Sequence, residues 1–162
     1  MPQIVLLLFQ TLLSMTLYTF FKMAHSGWRY VVFLLLVIAV VAAFVNWFGK
    51  KNYSNGNRKL NMFTMISAHI QFLLGLVLYF LSPFVQFTSD TMKVAETRYW
   101  TMEHVVMMLF AIVLITIGHS KSKKIQVAYL KHRVVAITYG LALLVIILAI
   151  IQSGRPLFGT TA

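Results

Sequence analysis

The chain has 162 residues, 60% of them hydrophobic and only 10% charged, a composition outside the range of ordinary soluble domains. Its net charge of +11 comes from 14 Lys and Arg against 3 acids, placed almost entirely between apolar runs; that is a pattern of membrane topology and argues against nucleic-acid binding. The absence of cysteine excludes disulfides, thiolate metal sites, iron–sulfur clusters and covalent c-type haem attachment.

The first element is an uncharged apolar stretch, Pro2 to Phe21, ahead of Lys22. It lacks the basic start and small-residue cleavage site of a signal peptide and is read as an additional helix (residues 1–22), lying against the bundle or in the membrane interface, with a fifth span as the alternative. A transmembrane domain, residues 23–162, follows. Span one runs from about Trp28 to Phe48 and closes at Gly49-Lys50-Lys51, span two from about Leu60 to Ser82-Pro83, where proline stops the helix. Span three runs from about Tyr99 to His119, before a lysine-rich stretch, and span four from about Val134 to Ile151, before Gly154-Arg155-Pro156. Each run approaches the 20 or so residues that cross a hydrocarbon layer of about 30 Å, and none alternates as a barrel strand would. The expected fold is an all-α integral membrane four-helix bundle.

The connection between spans one and two carries Lys50, Lys51, Arg58 and Lys59, and that between three and four carries Lys121, Lys123, Lys124, Lys131 and Arg133. All three acids, Asp90, Glu96 and Glu103, lie on the other side with Lys22, Arg29, Lys93, Arg98 and Arg155. The positive-inside rule therefore puts the two short connections in the cytoplasm. Ala136 and Gly140 form a small-xxx-small pair at which another helix can approach closely.

Ionisable groups within a membrane are costly, so each is a functional candidate. His69 lies well inside span two, His104 near the start of span three beside Glu103, and His25 just ahead of span one, while His119 and His132 sit among lysines at the cytoplasmic surface and read as solvated. Imidazoles from facing helices are usual axial ligands of b-type haem, provided they lie at similar depth. His104 is about 8 Å from the outer boundary and His69 about 14 Å from the inner one, which leaves them roughly 9 Å apart in depth. The better-matched iron ligands are His25 with His104 on the outer side, if the first helix begins a turn early, and His69 with His132 on the inner side. One or two haem b groups are expected. Arg29, at i+4 from His25, and Arg98 are candidate partners for the haem carboxylates, against an alternative role as interfacial anchors with Tyr30, Tyr99 and Trp100. For His69 the competing role is an interhelical hydrogen bond; for Met107 and Met108, a turn beyond His104, it is packing rather than sulfur ligation. No H-E-x-x-H motif, P-loop, dinucleotide fingerprint or serine elbow is present.

Several segments together resemble one family: His25-Ser26-Gly27-Trp28-Arg29-Tyr30, His69-Ile70-Gln71 with Gly75, Ser82-Pro83, Arg98 with Glu103-His104, and Ile117-Gly118-His119-Ser120-Lys121-Ser122-Lys123-Lys124. The chain is similar, over roughly Tyr18 to Ile151, to the small four-helix inner-membrane proteins of Bacteroidetes commonly labelled cytochrome b. His25, His69 and His104 match the histidines of that pattern, whereas His119 and His132 fall outside it. The resemblance implies a bacterial inner-membrane location and haem binding. The resulting expectation is a b-type cytochrome passing electrons within the membrane, with quinol as a partner. The competing reading is a haem-free accessory subunit of a larger membrane complex; homo-oligomerisation stays open. A transporter finds no support, since no inverted repeat or broken mid-span helix is visible.

Overall fold

The computed structural model describes residues 2–154. Within them the chain is entirely helical apart from its connections: α1 (Pro2–Phe48), α2 (Asn55–Leu81), α3 (Ala95–Arg98), a π-helical turn (Tyr99–Glu103), α4 (His104–Lys124) and α5 (Ala128–Gln152). α3, the π turn and α4 run on as one span, Ala95–Lys124, and with α1, α2 and α5 they make four helices long and apolar enough to cross a membrane. The architecture is that of a multi-pass membrane protein. The helices run up and down in turn, and the packed neighbours are α1 with α2, α2 with α4, α4 with α5, and α5 with α1. Two short connections meet at one end of this square; the longer connection and the start of α3 occupy the other.

Lipid offers helices no hydrophobic drive to associate, so packing and interhelical hydrogen bonds must hold the bundle. Small residues fill its axis: Ala39 and Ala43 of α1, Ala68 of α2, Ala111 of α4, and Ala136 and Ala142 of α5 are buried around Leu36, Ile115, Val135 and Tyr139. The Ala136/Gly140 pair is used inside this bundle, with Ala136 in the core and Gly140 turned to the Phe44 ring of α1. Trp28 Nε1 donates to the Ser67 carbonyl (3.0 Å), tying α1 to α2, and the Tyr139 hydroxyl donates to the Asn61 carbonyl (2.9 Å), tying α5 to α2.

The helices extend beyond the apolar runs that announce them. α2 begins at Asn55, capped by Ser54 Oγ accepting from the Asn57 amide, and span three begins at Ala95. Helices persist through the polar zones flanking an apolar core because their backbone bonds are already paired. α1 ends in a Schellman pattern, Lys51 N to Asn46 O and Lys50 N to Trp47 O, which places Lys50 at φ 48, the left-handed position usually held by glycine. Gly154 (φ 65) ends α5; Arg155 and Pro156 lie outside the described residues.

The apolar stretch 2–21 is the first half of α1, continuous with span one, and over residues 3–17 it does not lie against the bundle, for these are exposed. Its hydroxyls bond back to its own carbonyls, Thr11 to Leu7, Thr16 to Leu12 and Thr19 to Met15, so they are satisfied within the helix. At 1.5 Å per residue α1 is about 70 Å long, more than twice the hydrocarbon thickness.

Candidate functional site: a two-histidine cavity

At the end of the bundle away from the short connections, the core line opens into a cavity of about 210 Å3. Its walls continue the packing stripes of all four spans. On α1, Tyr18, Lys22, His25 and Arg29 recur at four-three-four spacing and lead into the core residues Val32 and Leu36. α2 and its C-cap contribute Gln71, Gly75, Leu78 and Ser82 at the same spacing; α4 contributes His104, Met108, Ala111 and Ile115; α5 and its C-cap close the wall with Ile146, Ala149 and Ser153. Residues spaced in this way share one helix face, so polar residues at these positions face the bundle interior.

His25 and His104, from α1 and α4, therefore line one cavity. The His25 ring lies against Gly75: a Cβ there would come within 2.9 Å of its Cε1 and 3.3 Å of its Nδ1. Glycine is what lets α2 approach the imidazole. Gln71 Nε2 donates to the His25 carbonyl at 3.0 Å, fixing α1 against α2 at this level. His25 Nδ1 is buried with no hydrogen-bond partner among the described residues.

His104 is positioned by the π turn. The backbone N–H of His104 bonds to the Tyr99 carbonyl five residues back, and this wider turn brings the Tyr99 hydroxyl to 3.3 Å from His104 Nδ1. Tyr99 has one hydroxyl proton, which it donates to the Ala149 carbonyl of α5. Its oxygen is then an acceptor for a proton on Nδ1, which leaves the imidazole lone pair on Nε2. A donor bond from one ring nitrogen to an oxygen is what orients metal-ligating histidines and sets their tautomer. The turn is also tied down from outside: Tyr79 OH donates to the Thr101 carbonyl (2.9 Å), and Thr101 Oγ1 accepts from the Gln86 amide (3.1 Å).

Of the two candidate arginines, Arg29 lines the cavity and Arg98 does not. Arg98 Nε pairs with Glu103 at 2.6 Å and its Nη1 donates to the Met92 carbonyl, so it fastens the connection to the π turn; Glu103 also accepts from Gln152 of α5. Lys22 and Tyr18 belong to the cavity although nothing about either residue alone signals it. Met108 lines the wall, and Met107 does not.

The other histidines lie elsewhere. His69 Nδ1 bonds the Met65 carbonyl one turn back (2.8 Å) and its Nε2 meets Thr116 Oγ1 of α4 (3.4 Å), an interhelical contact outside the cavity. His132 contacts the Asn52 carbonyl at 3.4 Å and packs against the Tyr53 ring, with centroids 4.9 Å apart. Neither His119 nor His132 is solvated as the flanking lysines suggest: they are 4% and 2% exposed. The helix turns the imidazoles inward while lysines next to them extend outward to water, and Tyr53 from the first connection covers His132. Among the described residues no three His, Asp or Glu side chains group as a metal site. Neither a family model, nor a curated protein, nor a solved structure matches the chain.

Proposed function

We propose that the chain is a membrane b-type cytochrome in which His25 and His104 hold a single haem b and electrons pass to or from a quinol within the bilayer. The observation that carries this reading is that two imidazoles from different spans line one apolar-walled cavity, and that the Tyr99 hydroxyl beside His104 Nδ1 is a partner of the kind that orients metal-ligating histidines. Bound there, the haem supplies one-electron transfer at iron. The chain's own residues do the rest. Arg29 and Lys22 place two cations at the cavity for the haem carboxylates, replacing Arg98 in that role. The Tyr99 hydroxyl holds the His104 ring and tautomer, Gly75 leaves space for the His25 ring, and Val32, Ala111 and Ile115 keep water from the inner wall.

An inner haem on His69 and His132 gains no comparable support, because each ring takes its contacts elsewhere. The charge asymmetry favours a bacterial inner-membrane orientation with the short connections in the cytoplasm; reporter fusions after Lys59 and Lys124 then read cytoplasmic and one near Asp90 periplasmic. The protein purified from a haem-replete host should show a Soret band that shifts on dithionite reduction and a pyridine haemochrome of non-covalent b type. A folded, colourless preparation would instead favour a haem-free accessory subunit, a reading that draws on the unpacked apolar surface of residues 3–17.

A further inference from the structure

The short-connection end of the bundle carries nine Lys and Arg and no acid. Both ion pairs among the described residues, Lys93 with Asp90 and Arg98 with Glu103, are at the opposite end. Two of the nine cations converge with a histidine on one seam. The His69–Thr116 contact marks where α2 faces α4. Arg58 is eleven residues before His69 and Lys123 seven after Thr116, each within about 20° of the contact face at 100° per residue. The two helices are antiparallel, so both side chains finish at the same end of that seam, on opposite walls. His119, one turn past Thr116, lies deeper in the bundle than either cation, and its Nδ1 is buried without a hydrogen-bond partner among the described residues. Lys123 and Arg58 are the cations that act on this ring electrostatically. The outer flank of the same seam is apolar and exposed, with Ile66 and Ile70 on α2 and Val113 and Ile117 on α4.

Two cations, a buried imidazole nitrogen with no hydrogen-bond partner among the described residues, and an apolar flank running from them along the span match one ligand chemistry. We propose that this end of the α2–α4 seam binds an anionic phospholipid: Arg58 and Lys123 take the headgroup phosphate, His119 Nδ1 forms the floor, and the acyl chains lie along Ile66, Ile70, Val113 and Ile117. The site is independent of the haem reading, since no residue is shared. Basic pockets between transmembrane helices recognise phosphate headgroups in this way, and each basic residue near such a surface contributes about fivefold in affinity.

Native mass spectrometry of the purified full chain, titrated with phosphatidylglycerol and with phosphatidylcholine, tests it. The wild type should retain phosphatidylglycerol preferentially, and R58Q/K123Q should weaken that binding by about 30-fold. The control K50Q/K51Q removes the same charge from the same end of the bundle and should weaken it little. Helicity by circular dichroism verifies folding of both variants, whose substituted residues are exposed. Excess inorganic phosphate should fail to displace the lipid, because the acyl contacts are absent. Equal losses in the two double variants would show diffuse surface attraction and overturn the site, and displacement by inorganic phosphate would overturn its assignment to lipid.

Discussion

Gly75→Ala separates the site from the fold. The added Cβ would stand 2.9 Å from His25 Cε1 and 3.3 Å from Nδ1, whereas carbon atoms in good contact lie about 3.5–4.0 Å apart. The ring must therefore retreat by roughly 0.6–1.1 Å, several times the tolerance of about 0.2 Å on a metal–ligand distance. Overpacking costs about 1–3 kcal/mol, and the helix regains about 1 kcal/mol when Ala replaces Gly, so the bundle loses about 2 kcal/mol at most. The stability change is small and the ligand displacement large. Haem content and the low-spin absorption spectrum, read alongside the thermal melt of helicity, should show a folded protein with weakened or high-spin haem. Gly27→Ala, two residues from His25 where an added Cβ meets nothing within 4 Å, should leave the spectrum unchanged. An intact low-spin haem in Gly75→Ala would refute ligation by a His25 ring held against Gly75.

Tyr99→Phe removes both the acceptor for His104 Nδ1 and the donor to the Ala149 carbonyl; haem affinity should fall about 10- to 100-fold, as for other partners of metal-bound histidine, with about 1 kcal/mol of stability lost. Gly118→Ala puts a Cβ onto Thr138 Oγ1 and within 3.1 Å of Tyr139 Cε1, so it should separate α4 from α5 and lower the thermal midpoint through a net loss of about 2 kcal/mol. Lys50→Gly relieves a left-handed lysine and should raise stability by about 1 kcal/mol in a detergent denaturation series.

The spans were legible because hydrocarbon thickness sets helix length and charges mark the turns, and depth along those spans was enough to bring His25 and His104 to the same end of the bundle, where both line one cavity. Their cavity neighbours were readable in principle. Tyr18, Lys22, His25 and Arg29 form a four-three-four stripe that runs into Val32 and Leu36, and comparing residues by helix face as well as depth brings Lys22 in; Arg98 falls outside because Glu103 holds it. The π turn was not legible: Tyr99–Glu103 carries no composition signal, and the wide turn is held by distant groups, Tyr79, Gln86 and the Ala149 carbonyl. His119 and His132 were misread for a related reason. Neighbouring lysines indicate water nearby, but alternate faces of one helical turn differ completely in burial, as Ser122 and Lys123 do.

Haem stoichiometry across single histidine variants tests the central claim most directly. His25→Ala and His104→Ala should each abolish low-spin haem while the bundle still inserts, and His69→Ala, whose ring meets Thr116 outside the cavity, should retain a full complement. Full retention in the first two, or loss of the same haem with His69→Ala, would contradict a haem held between α1 and α4.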